Sequence, residues 1–307
     1  MTYTLNKGIF QLTADGDEMI PTCTYEPYIE KIRSPRAVTV RHTMSESAAI
    51  AYHLEKFDAI GIDCTARCVN TIVAEGAIPC SLSAEIPDAF KDQLVPGFVT
   101  GCIQGCCSLE MSVTPLGTVR GTATGILDEE NSMRGARSGD VLIGLLSSGF
   151  HDEALVRVSR ILQLDDQNIK GLMPEIFCKL EDELFRPSKF YTRSVMHITK
   201  TMGIKLNDMC YVGEGGLSDS LYEMLPEGVS ARIMTGDFPR SGLYEMIARR
   251  GHLDRDDMFN NFNMGIGFVM AVDRRVAGDV MSVLIQIGEH PYVIGYCAEG
   301  EKDVILK

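Results

Sequence analysis

The segment 258–268 reads MFNNFNMGIGF, and it decides the fold of the second half of the chain. Asn263 can hydrogen-bond its own backbone and begin a turn. A strand is expected over 264–272, with Gly265 and Gly267 on one face, where positions without side chains let another backbone or a ligand approach closely. Two interpretations stay open: a tightly packed core strand, or a strand that borders a binding site.

Outward from this stretch, the hydrophobic pattern predicts helices and strands mixed along the whole chain, which indicates an α/β or α+β class. Strands are expected at 37–40, 78–86, 119–127, 141–146, 264–272 and 292–297, and helices at 45–57, 58–76, 90–107, 152–162, 191–202, 218–224, 241–250 and 276–287.

Three local signals refine these bounds. Ser45 is a candidate N-cap, Pro96 predicts a kink or break in its helix, and Gly251 is a candidate C-cap. The polar segment 128–140 predicts a domain boundary. We therefore expect an N-terminal domain over 1–138 and a C-terminal domain over 139–307.

Composition narrows the class of protein. The chain has 307 residues, 45% of them hydrophobic and 23% charged, which is ordinary for a soluble globular protein of two domains. Its formal net charge of −13 argues against a nucleic-acid binder and against attraction to an anionic membrane. No apolar run is long enough to span a bilayer, and residues 1–10 lack a signal-peptide pattern. We expect a cytoplasmic protein.

Two glycine-containing turns are candidate phosphate-binding sites. Ser147, Ser148 and Gly149 follow a predicted strand and precede a helix, where backbone amides and the helix dipole attract anions. His151 lies where a general acid or base could act. Gly215 and Gly216 precede another helix. A capped surface turn and a plain helix-entry loop remain the alternatives.

A metal site is a third possibility. Asp63 and Asn70 are seven residues apart on a predicted helix and share a face, so they could offer oxygen ligands. The ten cysteines include the pairs Cys64/Cys68 and Cys102/Cys106, but they lack the Cys-x-x-Cys spacing typical of zinc sites. Buried free thiols are the favoured interpretation, and disulfides are not expected in a cytosolic chain.

Taken in order, these segments resemble the aminoimidazole ribonucleotide synthetase family, also called phosphoribosylformylglycinamidine cyclo-ligase. The resemblance runs from about Asp58 to the C-terminus. It rests on six segments: 58–63, 68–79, 139–151, 186–191, 215–216 and 262–267.

The resemblance implies a two-domain fold, in which N-terminal strands form a barrel across a homodimer and a C-terminal α/β sandwich domain follows. It implies ATP-dependent closure of the imidazole ring in purine biosynthesis, with Mg-ATP bound in the N-terminal domain. It also implies substrate or phosphate contacts from Ser147 to Gly149, Gly215, Gly216 and Asn263, and catalysis by His151.

Several positions depart from the family pattern. Residues 42–48 lack the acid, glycines and lysine of an Asp-Gly-x-Gly-Thr-Lys loop. Asn70 is followed by Thr71 where the family has Asp, so Asp63, Asn70 and Glu110 are the remaining candidate metal ligands. The losses predict weaker Mg-ATP binding. They leave two hypotheses open: a divergent cyclo-ligase, or a degenerate paralogue that serves as a dimeric binding or regulatory scaffold.

Overall fold

A computed structural model describes the backbone except at residues 1, 7–8, 14–20, 45, 134, 151, 165–168, 174–177 and 214, and the side chains except at these positions and at 2–6, 9–13, 131, 172–173 and 178. The chain divides into two compact units. Unit 1 comprises residues 1–132 and 187–193, and unit 2 comprises residues 133–186 and 194–307. The sequence places a single boundary after residue 138, whereas residues 187–193, the returning segment, rejoin unit 1.

Unit 1 is a sheet with helices packed on it. Its elements are β1 (Thr2–Asn6), β2 (Ile9–Thr13), α1 (Glu26–Ile29), β3 (Pro35–Met44), α2 (Glu46–His53), α3 (Phe57–Ala74), β4 (Ile78–Pro87), α4 (Lys91–Gly105), β5 (Ser108–Thr114) and β6 (Val119–Asp128). The strand order is β1-β2-β5-β4-β6-β3. Strands β4 and β5, which α4 connects, are parallel, and the other neighbours are antiparallel.

Glycines set the close packing of α3 against α4. A Cβ atom at Gly97 would lie 2.4 Å from the carbonyl oxygen of Asp58, and one at Gly61 would lie 2.7 Å from the Phe98 nitrogen. A Cβ at Gly101 would meet the Thr65 side chain at 2.8 Å. The helix continues through Pro96, which excludes a break there, while a kink stays a prediction. Packing along this seam holds the helix together despite the missing amide.

Unit 2 contains the second six-stranded sheet, in the order β10-β12-β7-β13-β11-β14. Its elements are β7 (Val141–Leu146), α5 (Glu153–Leu162), β8 (Leu172–Met173), β9 (Cys178–Lys179), α6 (Leu180–Leu184), α7 (Thr192–Met196), β10 (Asp208–Tyr211), α8 (Gly216–Met224), β11 (Val229–Ile233), α9 (Gly242–Gly251), α10 (Arg255–Asn261), β12 (Ile266–Val272), α11 (Ala277–Gln286), β13 (Pro291–Glu299) and β14 (Asp303–Leu306). Helix α7 begins in the returning segment. Every residue of β12 is buried, which places this strand in the core of the unit.

The mixed α/β class and its two sheets are confirmed, while the barrel across a dimer stays a prediction. Two local features differ from expectation. The predicted helix at 191–202 consists of α7 and a π-helical turn at His197–Thr201. Gly251 lies inside α9, and His252 takes the left-handed C-cap position. Ser45, the expected N-cap, lies outside the described residues. Within the described part of the chain, no helix combines the length and apolarity needed to cross a membrane.

Candidate functional site

A hydrogen-bonded turn at residues 263–265 lies at the start of β12. The Tyr244 hydroxyl donates to Asn263 Oδ1, and the Gly265 amide donates to both of these oxygens at 3.0 Å. The Ile266 amide donates to the Asn263 carbonyl at 2.9 Å. Gly265 therefore lies in the turn, with φ +91°, and not on the strand face with Gly267, so that expectation is wrong. Glycine is favoured there because L side chains rarely adopt this conformation.

The turn after β7 packs against this one. The Ser147 amide donates to the Gly265 carbonyl at 2.9 Å, and the Ser147 side chain hydrogen-bonds to Tyr244. Phe150 lies against the Tyr244 ring, with a centroid distance of 5.0 Å. Gly149 has φ +67°. The carboxyl end of β7 and the amino end of β12 are thus joined directly by backbone pairing and also through Tyr244.

The Gly215–Gly216 turn reaches the same segment of chain. Gly216 has φ +70°, and a Cβ atom there would lie 2.6 Å from the Phe259 carbonyl oxygen. The Leu217 amide, in the first turn of α8, donates to the Phe262 carbonyl at 3.1 Å. Only glycine fits between these backbones. The structure therefore brings Gly216, Ser147 and Asn263 to one region of unit 2, which we call the three-turn site (residues 147–150, 215–216 and 262–265).

Tyr244 connects the turns of the three-turn site. The sequence did not indicate this role. The side chain is 5% exposed. Burial raises the pKa of Tyr244 well above its ordinary value, so the hydroxyl stays protonated and serves as a hydrogen-bond donor. Its position in an amphipathic helix gave no signal beyond a core tyrosine. The general rule that a buried tyrosine hydroxyl has a hydrogen-bond partner is the one signal that could have indicated this role.

Asp63 and Asn70, the predicted metal-side residues of α3, hold the returning segment. Asp63 Oδ1 accepts a hydrogen bond from the Ser188 amide at 2.8 Å. Asn70 is fully buried. Its Nδ2 donates to the Lys189 carbonyl at 2.9 Å, and its Oδ1 accepts from the Tyr191 amide at 3.1 Å. These bonds pair buried backbone groups that would otherwise lack partners.

Glu110, the third metal-side candidate, is exposed on β5 and pairs in register with Ser83 of β4. Across the part of the chain that the structure describes, no three His, Cys, Asp or Glu side chains are placed to hold a metal ion. Metal ligation by Asp63, Asn70 and Glu110 stays a prediction, and the contacts of the first two serve the returning segment.

The Asn70→Asp substitution distinguishes a metal ligand from a residue that holds the returning segment. We expect it to lower the free energy of unfolding by about 2–3 kcal/mol, because a carboxylate oxygen would face the Lys189 carbonyl in a buried site without a donor. Chemical denaturation measures this loss. The isosteric Asp63→Asn variant is the control, since it keeps an acceptor for the Ser188 amide. If Asp63 and Asn70 are metal ligands, the order of the two losses in unfolding free energy should be reversed, with Asn70→Asp tolerated.

His151 and Glu214 lie outside the described residues. The next residue, Asp152, is 7% exposed and has φ 49°. A non-glycine residue in this region is strained, and such strain is concentrated at functional sites.

Comparison with known sequences identifies the family. A profile described as "AIR synthase related protein, C-terminal domain" matches residues 137–307, which is more than half of the chain. This chain belongs to the AIR synthase family. The matched range begins near the predicted start of the C-terminal domain and includes the whole three-turn site. The resemblance inferred from the motifs is thereby confirmed.

Relatives of this AIR synthase family chain extend the similarity to its N-terminal half. The phosphoribosylformylglycinamidine cyclo-ligase of Pseudothermotoga lettingae is 31% identical over 292 residues, covering 90% of this chain and 85% of that protein. The protein of the same name from Clostridium tetani is 31% identical over 320 residues, covering 99% of this chain and 92% of its own length.

Solved structures share the fold of the AIR synthase family chain at lower identity. The thiamine-monophosphate kinase of Stenotrophomonas maltophilia has a TM-score of 0.65 and 18% identity, covering 90% of this chain and 86% of its own. The hydrogenase maturation protein HypE in complex with ATP has a TM-score of 0.64 and 16% identity, covering 89% of this chain and 81% of its own. At this identity the likeness concerns the fold alone.

Proposed function

We propose that this protein is a phosphoribosylformylglycinamidine cyclo-ligase of purine biosynthesis. In this reaction ATP phosphorylates the formyl-amide oxygen of formylglycinamidine ribonucleotide, a nitrogen of the substrate attacks the activated carbon, and phosphate leaves as the imidazole ring closes. The observation that carries the proposal is the 31% identity to cyclo-ligases along nearly the whole chain. The comparisons do not favour the alternative of a catalytically degenerate scaffold.

The three-turn site supports a role in holding the phosphorylated substrate. Ser147, Ser148 and Gly149 would offer hydroxyl and amide donors. Gly215 is the N-cap of α8 and Gly216 its first residue, where the helix dipole favours an anion. Asn263 uses its Oδ1 in the turn, and its Nδ2 is the group we assign to the substrate. His151 is proposed as the general acid or base at the amide.

ATP enters this proposal as a co-substrate and Mg²⁺ as the ion that accompanies its phosphates. Magnesium in nucleotide sites keeps several waters and takes one or two carboxylates together with phosphate oxygens. Asp63 and Asn70 are committed to backbone groups of the returning segment, so they do not fit a dedicated protein cage. Glu110 is exposed and stays the candidate for a single carboxylate contact. We propose a homodimer as the acting form.

Calorimetric titration with ATP in millimolar Mg²⁺ tests the ligand part of the proposal. We expect binding in the micromolar range, because a ligase must hold ATP while the substrate is phosphorylated. Absence of heat from protein shown to be folded by circular dichroism would contradict it. The formylglycinamidine ribonucleotide is titrated in the same way, in a separate experiment.

The Asn263→Asp substitution tests the three-turn site itself. The carboxylate keeps an acceptor for Tyr244 and Gly265, so the fold should persist, but it replaces the Nδ2 donor with a negative charge. We expect the affinity for formylglycinamidine ribonucleotide to fall about 30-fold or more, which corresponds to about 2 kcal/mol.

The control for this substitution is Tyr244→Phe. It removes a hydroxyl from the same network without adding charge. We expect it to cost about 1–2 kcal/mol of stability and to lower the substrate affinity much less than Asn263→Asp does. If the Asn263→Asp variant and the unsubstituted protein bind formylglycinamidine ribonucleotide with equal affinity, Asn263 does not contact the substrate.

A further inference from the structure

Two thiols of unit 1 differ from the other cysteines in their exposure. Among the nine cysteines that the structure describes, all free, Cys23 and Cys80 are half-exposed and the other seven are buried. Cys23 precedes α1, and Cys80 lies on β4, so the two come together only in the folded chain. The family assignment and the proposed cyclo-ligase reaction use neither residue.

The two thiols lie close enough to affect each other's protonation. Each is the largest influence on the pKa of the other. The Cys23 thiol also lies 3.6 Å from the carbonyl oxygen of Pro79, the residue before Cys80. The Cys80 thiol lies 3.4 Å from the Ile78 carbonyl oxygen. Both sulfurs therefore lie beside the backbone of residues 78–79, at the start of β4.

The surroundings of the pair make Cys23 the nucleophile. The hydrogen bond from Cys80 lowers the pKa of Cys23 to about 7, with further lowering by the backbone amides of Tyr25 and Glu26. Burial and the carboxylate of Glu26 oppose this shift. The pKa of Cys80 is raised, first by its bond to Cys23 and then by burial. A thiolate beside a protonated thiol is the arrangement of an attacking and a resolving cysteine.

We propose that Cys23 and Cys80 form a reversible redox pair that a hydroperoxide converts to a disulfide. The Cys23 thiolate attacks the outer peroxide oxygen, the O–O bond breaks, and the leaving alkoxide takes a proton to become an alcohol. The Cys80 sulfur then attacks the resulting Cys23 sulfenic acid, and water leaves. In total, the two thiols lose two protons and two electrons, and the hydroperoxide becomes alcohol and water. A small dithiol restores the pair by thiol–disulfide exchange.

The disulfide would fasten residues 21–30 to β4. In the reduced protein, this segment is joined to the rest of unit 1 by a backbone hydrogen bond, which the Thr24 amide donates to the Cys106 carbonyl at 3.1 Å. A covalent link at Cys23 removes conformational freedom from the unfolded chain and should raise the melting temperature of the oxidised protein.

The test uses the full reduced chain treated with hydrogen peroxide, followed by differential alkylation and peptide mass spectrometry. We expect one cross-link, between the peptides that contain Cys23 and Cys80. Cys102 and Cys107, which are both buried and whose thiols also influence each other, are the internal control and should stay reduced. Oxidation should be about tenfold faster at pH 8 than at pH 6, because the thiolate population rises through a pKa of about 7.

Two variants give the proposal a second readout. Cys80→Ser should stop the reaction at a Cys23 sulfenic acid, which dimedone traps. Cys23→Ser should make the oxidation by hydrogen peroxide much slower. Both are checked for an unchanged circular dichroism spectrum and melting curve in the reduced state. Cross-links that involve other cysteines first, or an oxidation rate that is the same in Cys23→Ser as in the unsubstituted protein, would overturn the proposal.

Discussion

Gly97→Ala should lower the free energy of unfolding by about 3 kcal/mol, although the substitution adds a single methyl group. The new Cβ would lie 2.4 Å from the Asp58 carbonyl oxygen and 2.9 Å from its Cα. Both atoms belong to the backbone of α3, so no side chain can turn away, and the two helices must separate. Losing contact along this seam would weaken the core of unit 1. Guanidinium denaturation followed by circular dichroism measures the change.

The matched control for this prediction is Gly278→Ala. Gly278 is exposed in the first turn of helix α11, and a Cβ atom there would meet nothing within 4 Å. Alanine is favoured over glycine in an exposed helix, by about 0.5–1 kcal/mol in the interior and by less in the first turn. The same substitution should therefore stabilise the protein at one position and destabilise it at the other. Similar denaturation midpoints for the two variants would show that the α3–α4 seam tolerates the added methyl group.

His151→Asn should lower kcat of the cyclo-ligase reaction by about 10²- to 10⁴-fold, the usual contribution of a general acid or base. At 25 °C this corresponds to about 3–5 kcal/mol of transition-state stabilisation. Asparagine keeps a polar side chain of similar size but neither gains nor releases a proton near neutral pH. Because the role assigned to His151 concerns proton transfer, the affinity for ATP should change little. Steady-state kinetics and calorimetry measure the two quantities.

The control for His151→Asn is His252→Asn. His252 is exposed and holds the left-handed C-cap of α9, with φ 51°. Asparagine is accepted at such caps, so this variant should keep both stability and turnover. A kcat for His151→Asn within a factor of three of that of the control would remove His151 from the chemistry.

The sequence predicts the elements that local pattern determines. The continuous apolar run at 141–146 predicts a buried strand, and β7 has these bounds. Apolar residues at spacings of three and four predict the buried face of α3. Asn263 predicts a turn, which the structure contains. These features depend on neighbours in the chain, which is why a single sequence suffices for them.

Contacts between distant segments could not be predicted in the same way. Asn70 has the residue type and spacing of a metal ligand, but its amide bonds the returning segment, more than a hundred residues later in the chain. Tyr244 belongs to the three-turn site through a hydroxyl that reaches Asn263, which no periodicity indicates. Alternation alone predicts that Gly265 lies on a strand face, because it does not show where β12 begins. In each case the deciding partner is set by tertiary packing.

A turnover assay tests the central claim most directly. The purified, reduced protein is mixed with formylglycinamidine ribonucleotide, ATP and Mg²⁺, and aminoimidazole ribonucleotide and phosphate are measured over time. The cyclo-ligase assignment predicts that both products appear in equal amounts, and that neither appears when the ribonucleotide or ATP is omitted. A folded protein that binds both substrates and yet forms no aminoimidazole ribonucleotide would contradict the assignment.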